Sequence, residues 1–219
     1  VSAPITEKRP PDTAVLALHY QNDVLHPDGR IRLGVAGDDL LRGRLVRAAW
    51  DLLSGARALD LVVVHVRVAF QPDYTDLVQN CTIFRNVAAS GAVIDGEWGS
   101  DFYDGLAPDP QRAREHAVRH TRISAFYDTP LEDILRGHGV RRLVVGGVAT
   151  HSVVEGTVRH ASDMGYEVMV AEDACATADP AAHAAALSSM KLIAGIGTVA
   201  RALQWAAEPA HAPHTKEPA

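Results

Sequence analysis

One segment constrains this chain more than any other. Leu61–Arg67 reads LVVVHVR, a β-branched run with no alternation between apolar and polar positions. A strand with one wet face alternates, so a continuous run marks a strand buried on both faces of a parallel sheet. Runs of the same kind recur at Thr13–Leu18 (TAVLAL), Ala117–His120, Arg142–Gly146 (RLVVG), Glu167–Ala171 and Ile196–Val199. Helical patterns lie between them. Asp38–Ala58 carries Leu41, Leu45, Ala49, Leu52 and Ala56 at helical spacing. Thr129-Pro130-Leu131-Glu132 reads as a helix start, with Thr129 as cap, Pro130 in the first turn and Glu132 closing a capping box; Gly139 ends that helix. Ser152–Met164 stops at Gly165, Asp179-Pro180 opens a helix to about Ile193, and a last helix runs to Ala207. The alternation predicts an α/β fold, a mostly parallel sheet with helices on both faces. From residue 68 to about 116 no such pattern holds, and the segment reads as a long irregular loop of the kind that often carries function.

The chain has 219 residues, enough for one such domain at 13–208 between a Pro-rich arm (1–12) and a polar tail (209–219), both expected to be loose. Hydrophobic residues make up 47% and charged residues 22%, which excludes a disordered chain. The net charge of −6 argues against nucleic acid as a partner. No apolar run approaches the ~20 residues that cross a bilayer, so no membrane partner is expected. VSAPITEKRPPD at the start has no apolar signal core, and a cytoplasmic location is the expectation. Two cysteines, Cys81 and Cys175, form neither a disulfide framework nor a cysteine zinc site.

Histidine is the unusual count: eleven, against three lysines. Ligands of open parallel sheets bind beyond the carboxyl ends of the strands. His19 follows the first strand, His120 the third, and His151 lies in the turn after the fourth. His65 falls inside a strand and reads as a satisfied core histidine. His26, His138, His211 and His214 fall in polar loops or the tail, and His116, His160 and His183 read as partly exposed.

Four segments carry a resemblance: LALHYQNDVLHPDG (16–29), HTRISAFYDTPLEDIL (120–135), VVGGVATHSVVEGTVRHASDMGYEV (144–168) and VAEDACAT (170–177). In order and spacing they resemble the isochorismatase-like (cysteine hydrolase) superfamily over roughly residues 13–200. The resemblance implies a three-layer Rossmann-like fold whose six-stranded sheet has the order 3-2-1-4-5-6, and a homodimer or homotetramer. It implies a catalytic Asp, Lys and Cys at positions that here read His19, His120 and Val153. A thiol amidase of the family's type is therefore not expected. Isochorismatases of this family also lack the cysteine and protonate a vinyl ether with the strand 1 acid, and they carry a histidine at the position of His151. Asp23 matches the family's structural aspartate.

These residues point to a cofactor-free acid–base enzyme acting on a small anionic or carbonyl-bearing metabolite, in a secondary-metabolic setting. His19 would move the proton, with His120 and His151 orienting or stabilising charge. Its rate would titrate at about pH 6–7. Arg67 and Arg122 would hold an anion or carbonyl. Tyr20, Gln21, Ser152, Val153 and Phe126 would line the pocket, and Trp98, Phe102 and Tyr103 would cover it. In the order 3-2-1-4-5-6 His120 stands two strands from His19 and reaches the pocket only if its loop folds over.

Two other classes fit the same residues. One is a catalytically inactive binding module. The other is a metal-dependent hydrolase on three histidines; against it, Arg67-Val68-Ala69-Phe70 lacks the Asp-x-His of the family's familiar metal site. Hydrolysis by Ser152 is a lesser option, since a serine at a helix start commonly serves as a cap. Gly195-x-Gly197-x-x-Ala200 lies too near the chain end to be a dinucleotide fingerprint, so no cofactor is expected.

Overall fold

The computed structural model describes residues 12–32, 34, 35 and 37–209. In chain order the elements are β1 (Thr13–Leu18), α1 (Asn22–Leu25), α2 (Asp39–Ala58), β2 (Val62–Val68), α3 (Thr82–Ser90), β3 (Glu115–His120), α4 (Leu131–Gly137), β4 (Arg142–Val148), α5 (Glu155–Asp163), β5 (Glu167–Ala176), α6 (Pro180–Met190), β6 (Gly195–Gly197) and α7 (Val199–Ala207). The six strands form one sheet in the order β3-β2-β1-β4-β5-β6, and every neighbouring pair is parallel.

β1 shows why the central strands are apolar on both faces. Ala14, Leu16 and Leu18 enter one core with Leu131 and Leu135 of α4, Val158 of α5 and Met190 of α6. Val15 and Ala17 enter the opposite core with Leu45, Ala49 and Leu52 of α2 and Ala202 of α7. The sheet is thus sandwiched, with both faces dry. Beyond the carboxyl end of β2 a third, smaller cluster gathers Val68, Phe70, Leu77, Phe84, Val87, Ala92 and Val93. Gly147 of β4 lies so close to β1 that a Cβ there would sit 2.5 Å from the Leu18 Cβ and carbonyl oxygen.

Helix starts follow local chemistry. The Asp38 carboxylate accepts from the Leu41 N–H at 2.9 Å, and Asp179 accepts from Ala181 N–H at 2.8 Å with Pro180 in the first turn. The capping box expected at Thr129 and Glu132 does not form. Pro130 occupies the cap position, and the Thr129 hydroxyl donates to the Ala125 carbonyl at 2.6 Å. Glu132 instead pairs with Arg136, one turn on, at 2.7 Å. The helix expected from Ser152 begins as a π-helical turn at Thr150–Val154. Residues 68–116, expected to be irregular, contain α3 and a short 3₁₀ turn at Trp98–Ser100.

The arm and tail, for residues 1–11 and 210–219, lie outside the described residues. Asp12, read as part of the arm, belongs to the fold: its carbonyl accepts from the N–H groups of Arg141 and Arg142. Among the described residues no helix is long and apolar enough to cross a membrane.

Candidate active site

The site grows from the carboxyl end of β1. His19 has left-handed backbone geometry, φ +58°, uncommon for a residue with a side chain, and its N–H donates to the Val66 carbonyl at 2.9 Å. Its ring meets that of His120, the last residue of β3, with Nε2 to Nε2 at 2.5 Å and ring centroids 4.7 Å apart. β2 stands between β1 and β3, so the two side chains converge over its end, where Val68 is in register with His120.

His120 is buried, and its Nδ1 lies 3.3 Å from the Ser124 carbonyl oxygen. That oxygen only accepts, so Nδ1 carries the hydrogen and Nε2 presents a lone pair. The hydrogen shared between the rings then comes from His19 Nε2, and the Val148 carbonyl accepts a second hydrogen bond from the His19 ring when that ring is protonated. The loop that carries Ser124 is pinned to α5. Ser124 Oγ lies 2.9 Å from His160 Nδ1, and the Ala125 N–H donates to Thr157 Oγ1 at 3.0 Å.

Burial, and then the nearness of His120, hold the His19 pKa well below the ordinary histidine value, while the Val148 carbonyl favours the protonated ring. Burial brings His120 down to about 4, with the Ser124 carbonyl opposing. Near neutral pH the pair is therefore uncharged.

His19 opens onto a cavity of about 570 Å³, part of it open to solvent. Val24 and Ile31 follow β1 on its wall, and Val68 and Phe70 lie at and beyond the end of β2. Ile83, Phe84 and Val87 come from α3, and Ile123, Val148, Ala149 and Val153 complete the apolar lining. Arg122 and Ser152 are also on the wall. The Arg122 guanidinium lies over the Phe84 ring at 4.8 Å, and its Nη1 reaches the Val78 carbonyl at 3.4 Å. Among the described residues Arg122 has no carboxylate partner.

Several expected site residues have other places. His151 is absent from the wall, and its Nδ1 is buried with no hydrogen-bond partner among the described residues. Tyr20 belongs to the α2-side core, its hydroxyl donating to the Ala174 carbonyl at 2.6 Å. Gln21 is a backbone clamp: Oε1 accepts from the Val68 N–H, and Nε2 donates to the carbonyls of Val68 and Ser100. Arg67 is ion-paired with Asp95 at 2.8 Å. Phe126 packs against His160 and stacks on Tyr166. Trp98, Phe102 and Tyr103 are not on the wall either; α3 supplies the cover.

His120 does reach the site, and directly, where two strands of separation argued for an indirect route. Asp23 ties two loops, accepting from the N–H groups of Val93 at 2.7 Å and Arg30 at 3.1 Å. His65 is buried but half satisfied: Nε2 lies 3.3 Å from Glu115 Oε2, while Nδ1 has no partner among the described residues. Among those residues no three His, Cys, Asp or Glu side chains form a group that could hold a metal ion, so the three-histidine site is not assembled.

α3 lies in the segment expected to be irregular and supplies three residues of the wall. Its signal was present in IFRNVAASG: Ile83, Phe84, Val87 and Ala88 share one helical face, and Gly91 ends the helix at φ +65°.

Known proteins share this architecture. A ureidoacrylate amidohydrolase (RutB) of Methylobacterium radiotolerans is 30% identical over 202 residues, covering 85% of this chain and 76% of that one. The crystal structure of an isochorismatase family protein from Desulfovibrio vulgaris superposes with a TM-score of 0.78 at 25% identity, covering 90% of this chain and all (100%) of that one. A cysteine hydrolase from Pseudomonas syringae pv. phaseolicola, 22% identical, shares the fold with a TM-score of 0.77 over 94% of this chain and 100% of its own. Residues 13–202 match the isochorismatase domain, and with the sheet order described above the chain belongs to the isochorismatase-like hydrolase family.

Proposed function

We propose that this chain is an acid–base enzyme in which a histidine pair takes over where the family keeps Asp, Lys and Cys, and that it acts on a small anionic or carbonyl-bearing metabolite without a thiol nucleophile. The observation that carries this reading is the contact of His120 with His19, which stands on the wall of an apolar cavity together with Arg122. Val153, at the family's nucleophile position, has only methyl groups to present.

The His19 ring takes a proton from the carbon beside a substrate carbonyl, while Arg122 holds the carbonyl or carboxylate oxygen. The positive charge spreads over the ring pair, and the carbonyls of Val148 and Ser124 stabilise it. The apolar wall keeps water from competing for the proton. Isomerisation, cyclisation and elimination can begin with such a transfer; in hydrolysis the base would instead take the proton of an attacking water.

Phenylpyruvate tests the reading, because its C3 protons exchange when a base removes them. In D2O, wild-type protein should accelerate deuterium incorporation at C3, read by NMR. His19→Ala should lose about 10²–10⁴-fold of that acceleration while remaining folded. Exchange unaltered by the substitution sinks the proposal. A chain that binds the keto acid and exchanges nothing behaves as the binding module instead.

A further inference from the structure

The cavity wall says more about the ligand than the histidines do. Among the described residues only His19, Arg122 and Ser152 bring polar side chains to it. The His19 ring is engaged by His120 and by the Val148 carbonyl, so Ser152 Oγ is the chief hydrogen-bond acceptor that the wall's side chains offer. A buried N–H that loses water without gaining an acceptor is strongly unfavourable. A ureido group brings three N–H donors and a carbonyl into whatever pocket holds it. This wall is matched to methyl, methylene and aromatic surface instead.

One feature breaks the apolar pattern. Arg122 lies over the Phe84 ring, held by a single long hydrogen bond to the Val78 carbonyl and by no carboxylate among the described residues. A guanidinium with unfilled donors beside a ligand cavity suits a planar carboxylate, which it can grip with two parallel bonds. Arg67 presents no such opening, because Asp95 already neutralises it.

We infer that the cavity binds a monocarboxylate with an apolar body, its carboxylate on Arg122 and its hydrocarbon or aryl part against Phe84, Phe70 and Val87, and that it discriminates against ureido compounds, the class named by the ureidoacrylate amidohydrolase it resembles. This rests on the cavity being the substrate site of the proposed function, but not on any proton transfer taking place there.

Calorimetric titration of the full chain at pH 7.5 tests it with three probes: 3-phenylpropionate, its neutral amide, and hydantoate (N-carbamoylglycine). The acid should bind about ten- to a hundredfold tighter than the amide, the range expected of a charge-assisted hydrogen-bond pair. Hydantoate, which keeps the carboxylate but replaces the apolar body with a ureido group, should bind more weakly than the acid. Arg122→Gln should abolish the preference for acid over amide, weakening the acid by the larger factor. Ile83→Asn, on the half-buried cavity face of α3, should weaken acid and amide alike. Tighter binding of hydantoate than of 3-phenylpropionate, no binding of any probe, or an Arg122→Gln chain that keeps the acid preference overturns the inference. Retained acid binding by wild type with no proton exchange on phenylpyruvate would remove the proposed chemistry and leave this ligand class standing.

Discussion

Gln21 grips Val68 by both of its backbone groups, accepting the N–H at 2.8 Å and donating to the carbonyl at 2.9 Å. A side chain that copies a neighbouring strand in this way fastens the exit of β1 to the exit of β2, under the floor of the cavity. Gln21→Leu strips partners from the N–H and carbonyl of Val68 and from the Ser100 carbonyl. The expected loss is about 2–4 kcal/mol, read from chemical denaturation. A variant as stable as wild type would mean that the clamp does no more than fill space.

Glu115 is a second buried fixture. Its side chain is fully buried; Arg57 grips it with two hydrogen bonds, His65 lies 3.3 Å away and Arg112 also pairs with it. Burial is the largest influence and raises its pKa, but the hydrogen bonds from His65 and Arg57 outweigh it and hold the carboxyl well below the usual carboxylate range. A depressed folded pKa means that the stabilisation is complete above the unfolded value of about 4.5 and drains away as the pH falls below it. Glu115→Gln should remove about 3–5 kcal/mol at neutral pH, because it leaves arginine charge without its partner. It should also flatten the acid limb of stability against pH.

The histidine pair shifts the expected pH optimum. Its pKa values lie below the ordinary histidine range, with His120 at about 4, so the base form persists through pH 6–7. Exchange rates should be level there and fall only at lower pH, not at the pH 6–7 midpoint that an exposed histidine would give. Stability carries the same sign. The unfolded chain binds these protons first, so stability declines as the pH drops below about 6.5, by about 3 kcal/mol for His120 once the pH is below its folded value. A kinetic midpoint at or above 6.5 would contradict the buried neutral pair.

Neither thiol should matter to turnover. Cys175 is buried, and burial pushes its pKa up to about 12, so almost no thiolate forms at neutral pH. Cys81 is half-buried ahead of α3 and is not on the cavity wall. Replacing both by Ala should leave proton exchange within about twofold and take about 1 kcal/mol of packing from the Cys175 site. Val153→Cys should not release ammonia from an N-carbamoyl amino acid, since the family's carboxylate and lysine remain absent. Inactivation by iodoacetamide, abolished by either Cys→Ala change, would show that a thiol had been overlooked.

Much of the fold could be read directly. Thr13–Leu18 is bounded by Asp12 and His19 and buried throughout, so the apolar run and the strand coincide. The sheet order followed from the four family-like segments and not from periodicity. α3 escaped notice because Cys81 at its cap position makes no side-chain cap, its first turn has no acid, and turn-forming residues crowd the segment before it. The His19–His120 contact was hidden for a geometric reason. Strands two apart in a sheet are separated by about 10 Å, and only the left-handed turn at His19 brings its ring across β2. Nor could sequence tell the two arginines apart, because the acid that silences Arg67 lies 28 residues away, at Asp95.

The small cluster around Phe70, Phe84 and Val87 belongs to neither of the two main cores. Substitutions on the inner face of α3 therefore reshape the cavity without disturbing the packing of β1 and β4 or the strands that bear the histidines. The helix that shapes the cavity and the strands that end in the two histidines pack in separate clusters. A lineage of such proteins is free to change what the cavity admits by altering one nine-residue helix while the strands that carry His19 and His120 stay untouched.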